Sequence, residues 1–178
     1  HIGAIEGISE RYASQITVDT VYYNFPTAEQ NAKYAPASLA NSLNNVTTIF
    51  ENSLTKLKRA DGGAVKVVEI LARHQNQCRG SFMIDTVSFD ILLTCEDVFA
   101  AADSSTKLYS GTLATNGKAY TNKTIKELLY DDYGNNISCV IRMTVGGKNV
   151  LFLGDLAEPG GIVLKSYHDA NTYSIKSD

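Results

Sequence analysis

The chain has 178 residues, 44% of them apolar and 20% charged, with a formal net charge of −3. That is long enough for one domain with a buried core, and the composition is ordinary for a soluble globular protein. The negative balance excludes a basic field that would recruit nucleic acid unaided, no apolar run reaches transmembrane length, and no signal peptide opens the chain.

In chain order, residues 3–12 suit a short helix with Ile5, Ile8 and Tyr12 on one face. Residues 16–25 read as a strand that Pro26 ends. Its run Val21-Tyr22-Tyr23 is continuous rather than alternating, which predicts cover on both faces. Residues 36–59 form the clearest helix. Leu39, Leu43, Val46, Phe50, Leu54 and Leu57 step by three or four and make one apolar stripe. Lys56, Lys58 and Arg59 fall in its last turn, and Gly62-Gly63 reads as its stop.

Residues 64–71 read as a strand, 73–80 as a polar loop and 83–94 as one long strand. Residues 100–123 are polar and rich in small side chains, and a loop of that length is usually functional. A short helix is expected at 124–130, and another at 159–169 with Pro159 in its first turn. Order and spacing point to an α/β sandwich in which strands stack and helices cover the outer faces.

The most informative stretch runs from Asn135 to Asp155. Residues 137–145 are β-branched and apolar, Gly146-Gly147 is a turn signal, and residues 150–153 form a second apolar run. Gly154-Asp155 then breaks the strand. An aspartate at the end of a buried strand, presented by a glycine turn, is placed to hold a metal ion. The competing reading is an aspartate that caps the following turn or helix.

Asn-Asn-x-Ser-x-Val-x-Arg, a glycine turn and an apolar strand ending in Gly-Asp together resemble the metallo-β-lactamase-fold hydrolases. The branch they resemble includes the extracytoplasmic hydrolase domain of DNA-uptake channel proteins. His1-Ile-Gly-Ala-Ile-Glu-Gly-Ile at the other end resembles the close of that family's His-x-His-x-Asp-His signature. The resemblance implies a stacked-sheet sandwich with helices outside. It implies two divalent metals, zinc first among them, with Asp155 bridging the pair and His1 a ligand of the second. It implies that phosphodiester or related ester bonds are hydrolysed by a metal-bound hydroxide, with a small-molecule or nucleic-acid ester as substrate.

The family's earlier His-x-His-x-Asp would lie upstream of residue 1, and its later histidine would follow a strand starting near Asp178. On this reading residues 1–178 are a single, incomplete middle segment of the hydrolase domain, inactive by itself. Exposed sheet edges would favour a homodimer. The compartment stays open. The alternative is a non-catalytic binding or regulatory module on the same fold.

Other residues are assigned plainer roles. His74 and Cys78 are four apart, but their surroundings read as a polar loop. Cys78, Cys95 and Cys139 are odd in number and widely spaced, the pattern of free, mostly buried thiols. His168 reads as a surface residue at a helix end. Asn135 and Asn136 read either as site-loop residues or as turn residues tolerating left-handed φ. The Asn-x-Ser/Thr triplets at Asn45, Asn122 and Asn136 carry no assigned role, and Asp131-Asp132 reads as a solvated turn.

Overall fold

A computed structural model describes residues 3–70, 81–104, 114–115, 118–119, 124–170 and 175. The architecture is mixed α/β, and the chain divides into two compact units, His1–Glu69 and Ile70–Asp178.

The first unit runs α1 (Gly3–Arg11), β1 (Thr20–Tyr23), α2 (Ala28–Tyr34), α3 (Ala37–Lys56), β2 (Lys66–Glu69). β1 and β2 pair in parallel, with Thr20 opposite Lys66 and Tyr23 opposite Glu69. Parallel partners need a crossover, which α2 and α3 supply. α3 is the expected amphipathic helix. Phe50 of the apolar stripe is buried within it, Leu57 is buried just past its end, and Leu39 at the start stays exposed. Gly62-Gly63 does not stop it. The helix ends at Lys56, Leu57 turns extended, and Gly62 serves a later turn with φ +79°.

The expected strand over 16–25 shrinks to four residues, and Tyr22 in it is exposed, so its run is not covered on both faces. α2 was not foreseen. Thr27 caps it: its hydroxyl accepts from Gln30 N at 3.1 Å, and its own N–H donates to Gln30 Oε1 at 2.7 Å.

The second unit contains β3 (Ser81–Ile84), β4 (Val87–Leu93), α4 (Cys95–Asp103), β5 (Ala114–Thr115), β6 (Lys118–Ala119) and α5 (Ile125–Leu129). A 3-10 turn, Tyr130–Asp132, leads into α6 (Tyr133–Asn136). β7 (Val140–Val145), β8 (Lys148–Phe152) and α7 (Glu158–Asp169) follow. Its main sheet is antiparallel in the order β3-β4-β7-β8.

One expectation fails here. The span 83–94 is not one strand: it holds the end of β3, a turn at Asp85 with φ +53°, and β4, which pairs back on β3 as a hairpin. Aspartate tolerates that left-handed conformation better than most residues, and apolar residues on both sides hid the turn. The polar segment expected from residue 100 also begins in helix, since α4 extends to Asp103.

The core of this unit lies where β4 and β7 run into the helices. Ile91, Leu92, Leu93 and Val140 are buried there with Val98 and Phe99 of α4, Leu128 and Leu129 of α5, Tyr133 of α6, and Val163 of α7. Phe99 and Tyr133 stack at 6.2 Å. A bulge between Ile91 and Leu93 lets consecutive residues Ile91, Leu92 and Leu93 all be buried. Among the described residues, no helix is long and apolar enough to cross a membrane.

This distribution gives a first prediction. Ile91→Ala, at 0% exposure, removes packed volume that nothing can refill and should cost about 3 kcal/mol. Met83→Ala, at 66% exposure in the same sheet, should stay within about 0.5 kcal/mol. Denaturant midpoints of the two variants compare them directly. Equal losses would contradict the placement of the core.

Candidate metal centre at the Gly154-Asp155 turn

The expected hairpin forms. β7 and β8 pair antiparallel from Ile141 opposite Phe152 to Val145 opposite Lys148. Gly146 and Gly147 at the tip have φ +56° and +76°, the conformation a tight hairpin turn requires of both central residues. β8 ends at Phe152, and Leu153, Gly154 and Asp155 follow exposed. Leu156 N donates to Leu153 O at 3.2 Å, which closes a β-turn with Gly154 and Asp155 at its centre. Gly154 has φ +59°, and a side chain there would meet Ser138 Cβ at 3.3 Å.

Ser138 belongs to the Asn-Asn-x-Ser segment, so that segment and the Gly-Asp turn pack side by side. A second tie joins them. Asn136 is 0% exposed, and its side-chain oxygen accepts from Gly160 N, in the first turn of α7, at 3.2 Å. A Cβ on Gly160 would come within 2.5 Å of the Asn136 carbonyl oxygen and of Leu156 Cδ1. Gly160 is therefore required for the close approach of α6 and α7. Its backbone needs no special dihedral. The Asn136 amide nitrogen has no hydrogen-bond partner among the described residues.

Asn136 is thus a buried clamp and not a turn residue in left-handed φ, because it ends α6 in helical conformation. Asn135 is exposed and donates to Asp132 Oδ2 at 3.1 Å. Asn45 lies exposed on α3.

Arg142 of the same motif plays a structural part that the sequence did not disclose. It lies opposite Asp90 across β4 and β7 and donates to Asp90 Oδ2 from Nη2 at 2.6 Å and from Nε at 3.3 Å. Both side chains are largely buried. Pairing offsets the desolvation of the two charges, whereas either partner alone would be a buried, uncompensated ion. The signal in the sequence was a single charge within each of two apolar strands.

The thiols are structural. Burial, then the carboxylates of Asp97 and Glu96, pushes the Cys139 thiol up to about 12. Burial, followed by Glu96, pushes Cys95 up further still. Neither is in a disulfide, Cys95 donates to Glu96 Oε1 at 3.2 Å, and both are protonated at neutral pH. Asp97 is itself buried and accepts from Thr94 N at 2.8 Å, the reach-back of a capping residue. His168 sits in the last turn of α7, half-buried, where a histidine complements the helix dipole.

His1, His74, Cys78 and Asn122 lie outside the described residues, as does most of the 100–123 segment. Among the described residues, no three or more His, Cys, Asp or Glu side chains are grouped to hold a metal ion. Asp155 supplies one carboxylate, and zinc takes four ligands. The described donors therefore do not make up a metal site by themselves, and no catalytic step is derived through one. Comparison with protein-family models, with curated proteins and with solved structures finds no match to this chain.

The clamp predicts a pattern of damage. Gly160→Ala should destabilise by about 1–3 kcal/mol, because its new methyl meets backbone that cannot yield. Asn136→Ala should lose a similar amount, about 1–3 kcal/mol, by leaving the Gly160 N–H without an acceptor. The double variant should cost clearly less than the sum, since the displacement that the methyl forces already breaks the hydrogen bond that Asn136→Ala removes. Thermal or denaturant unfolding of the three variants measures this. Full additivity would mean that the two residues do not act as one contact.

Buried Cys95 and half-buried Cys139 predict slow thiol chemistry. Burial and the nearby carboxylates hold both thiols protonated, so alkylation of both Cys95 and Cys139 in the native chain should trail that of the denatured chain clearly. Peptide mapping after iodoacetamide treatment reads out each site, and rapid labelling of Cys139 would contradict the burial.

Proposed function

We propose that residues 1–178 carry the bridging-aspartate segment of a metal-dependent hydrolase of the metallo-β-lactamase fold, in which two stacked sheets are covered by outer helices. The substrate is a phosphodiester or a related ester. The observation that supports this reading most is the locking of the two motif halves. Asn136 and Ser138 on one side and Gly154 and Gly160 on the other form one packed unit around a single exposed carboxylate, Asp155.

α7 has Ala157 at its N-cap, without a side-chain cap bond, and Asp155 sits two residues earlier in a separate turn. A rigid turn of this kind holds a carboxylate in fixed geometry, as a metal ligand requires. His1 and ligands beyond the described residues complete the set in this reading. When bound, divalent metals supply an activated water and polarise the ester. The chain's own part is to hold the Asp155 carboxylate still. The protonated thiols of Cys95 and Cys139 suit a reaction that needs no protein nucleophile.

Exposed Val150 and Phe152 on the edge strand β8 offer the edge along which two copies would pair.

The test uses the chain as it stands. With zinc or manganese it should hydrolyse bis-nitrophenyl phosphate only at background, because one described carboxylate falls short of the required ligands. Manganese titration should nevertheless broaden the amide resonances of Leu153 and Leu156 before those flanking Asp85, an aspartate also exposed in a turn. Asp155→Asn should remove that preference. Broadening that is uniform, or unchanged in Asp155→Asn, would overturn the assignment of Asp155. Turnover above background that Asp155→Ala abolishes would overturn the claim that the segment is inactive.

A further inference from the structure

The first unit contains a cavity of about 490 Å³, in the size range of small-molecule sites. It is lined by the end of β1, the segment after it, one face of α3, and β2. Three aromatic rings meet there. Phe25 and Phe50 are edge-to-face at 5.0 Å, Tyr23 and Phe50 lie 5.5 Å apart, and Tyr23 and Phe25 lie 5.9 Å apart. Two carboxylates join the rings from different elements. Glu69 is the cross-strand partner of Tyr23 in the parallel register, and Glu51 follows Phe50 on α3. Both glutamates line the cavity, and no lysine, arginine or histidine is among the described residues that do.

The two threonines of the lining are committed elsewhere. Thr27 caps α2, and Thr47 donates to Leu43 O at 3.5 Å. What remains to recognise a ligand is ring faces and negative charge.

We propose that this cavity binds a small organic cation, with an alkylammonium group seated on the cavity side of the Tyr23, Phe25 and Phe50 ring cluster and facing the carboxylates of Glu51 and Glu69. The face of an aromatic ring carries the negative part of its quadrupole and attracts a cation within about 6 Å of the centroid. An alkylated ammonium suits such a site better than a small metal ion. It is weakly hydrated, gives up little on leaving water, and contributes apolar surface to ring and Val67 contacts. A hard divalent ion takes about six or more oxygen donors, and two glutamates fall well short. The Tyr23 hydroxyl responds to the same field: burial first, then Glu69 and Glu51, raises its pKa, so the ring stays neutral. This site is independent of the Asp155 turn and of any hydrolase activity.

Ligand-observed NMR on the intact chain tests the proposal. The probes are choline and its uncharged isostere 3,3-dimethylbutan-1-ol, which have the same shape and differ in charge. Choline should bind about fivefold or more tightly than the alcohol, as cation–π and carboxylate attraction together require. Glu51→Gln with Glu69→Gln should weaken choline about tenfold and leave the alcohol unchanged. Both glutamates are exposed, so the pair should fold normally, and circular dichroism checks this. Phe25→Leu should weaken choline while preserving the apolar lining. Equal affinity for the two probes, no saturation transfer to choline up to about 50 mM, or choline binding that survives the double substitution would each overturn the proposal.

Discussion

At full burial, the Asn136 side chain can bond only to what the fold brings to it, and it accepts from the N–H of Gly160. An N–H in the first turn of a helix has no partner within that helix, so one side chain serves a group that α7 would otherwise leave unpaired. The geometry that permits this bond also brings the carbonyl of Asn136 so close that residue 160 can carry no side chain. From this contact follows the seating of α6 against α7, and Gly154 packs against Ser138 beside it.

The second unit treats its charges in two ways. Asp90 and Arg142 are sunk in the sheet and neutralise each other across β4 and β7, and Asp97 is sunk beside Thr94. These ions hold register and helix ends, and water cannot reach them readily. Asp155 is left outside, on a turn whose backbone is tied down on both sides. The first unit repeats that economy in a different form, with Glu51 and Glu69 left at the surface beside rings that are partly buried.

Much of the plan was legible along the chain. The apolar stripe of α3, the short helix near residue 125, the proline at the start of α7 and the β7–β8 hairpin all depend on contacts between near neighbours. Periodicity and glycine pairs report such contacts faithfully. The α/β class follows from the same signals. The turn at Asp85 escaped because apolar residues flank it on both sides, so strand pattern runs through it unbroken. α2 escaped although Thr27 and Gln30 carry the spacing of a capping box, because its seven residues show no apolar stripe.

The motif at residues 135–155 identified Asp155, but its partners came from elsewhere. That Asn136 bonds to Gly160 across 24 positions, or that Arg142 faces Asp90 across 52, depends on which strands and helices become neighbours. The same holds for the cavity of the first unit: Tyr23, Phe50 and Glu69 belong to three elements, and nothing in their spacing sets them together. By itself the sequence determined the elements and the residue types available at each turn, since these answer to local sterics and burial. Only the tertiary structure decided which charges are buried in pairs, which carboxylate stays exposed, and which rings share a cavity. Those outcomes depend on desolvation, and desolvation is set by neighbours far apart in the chain.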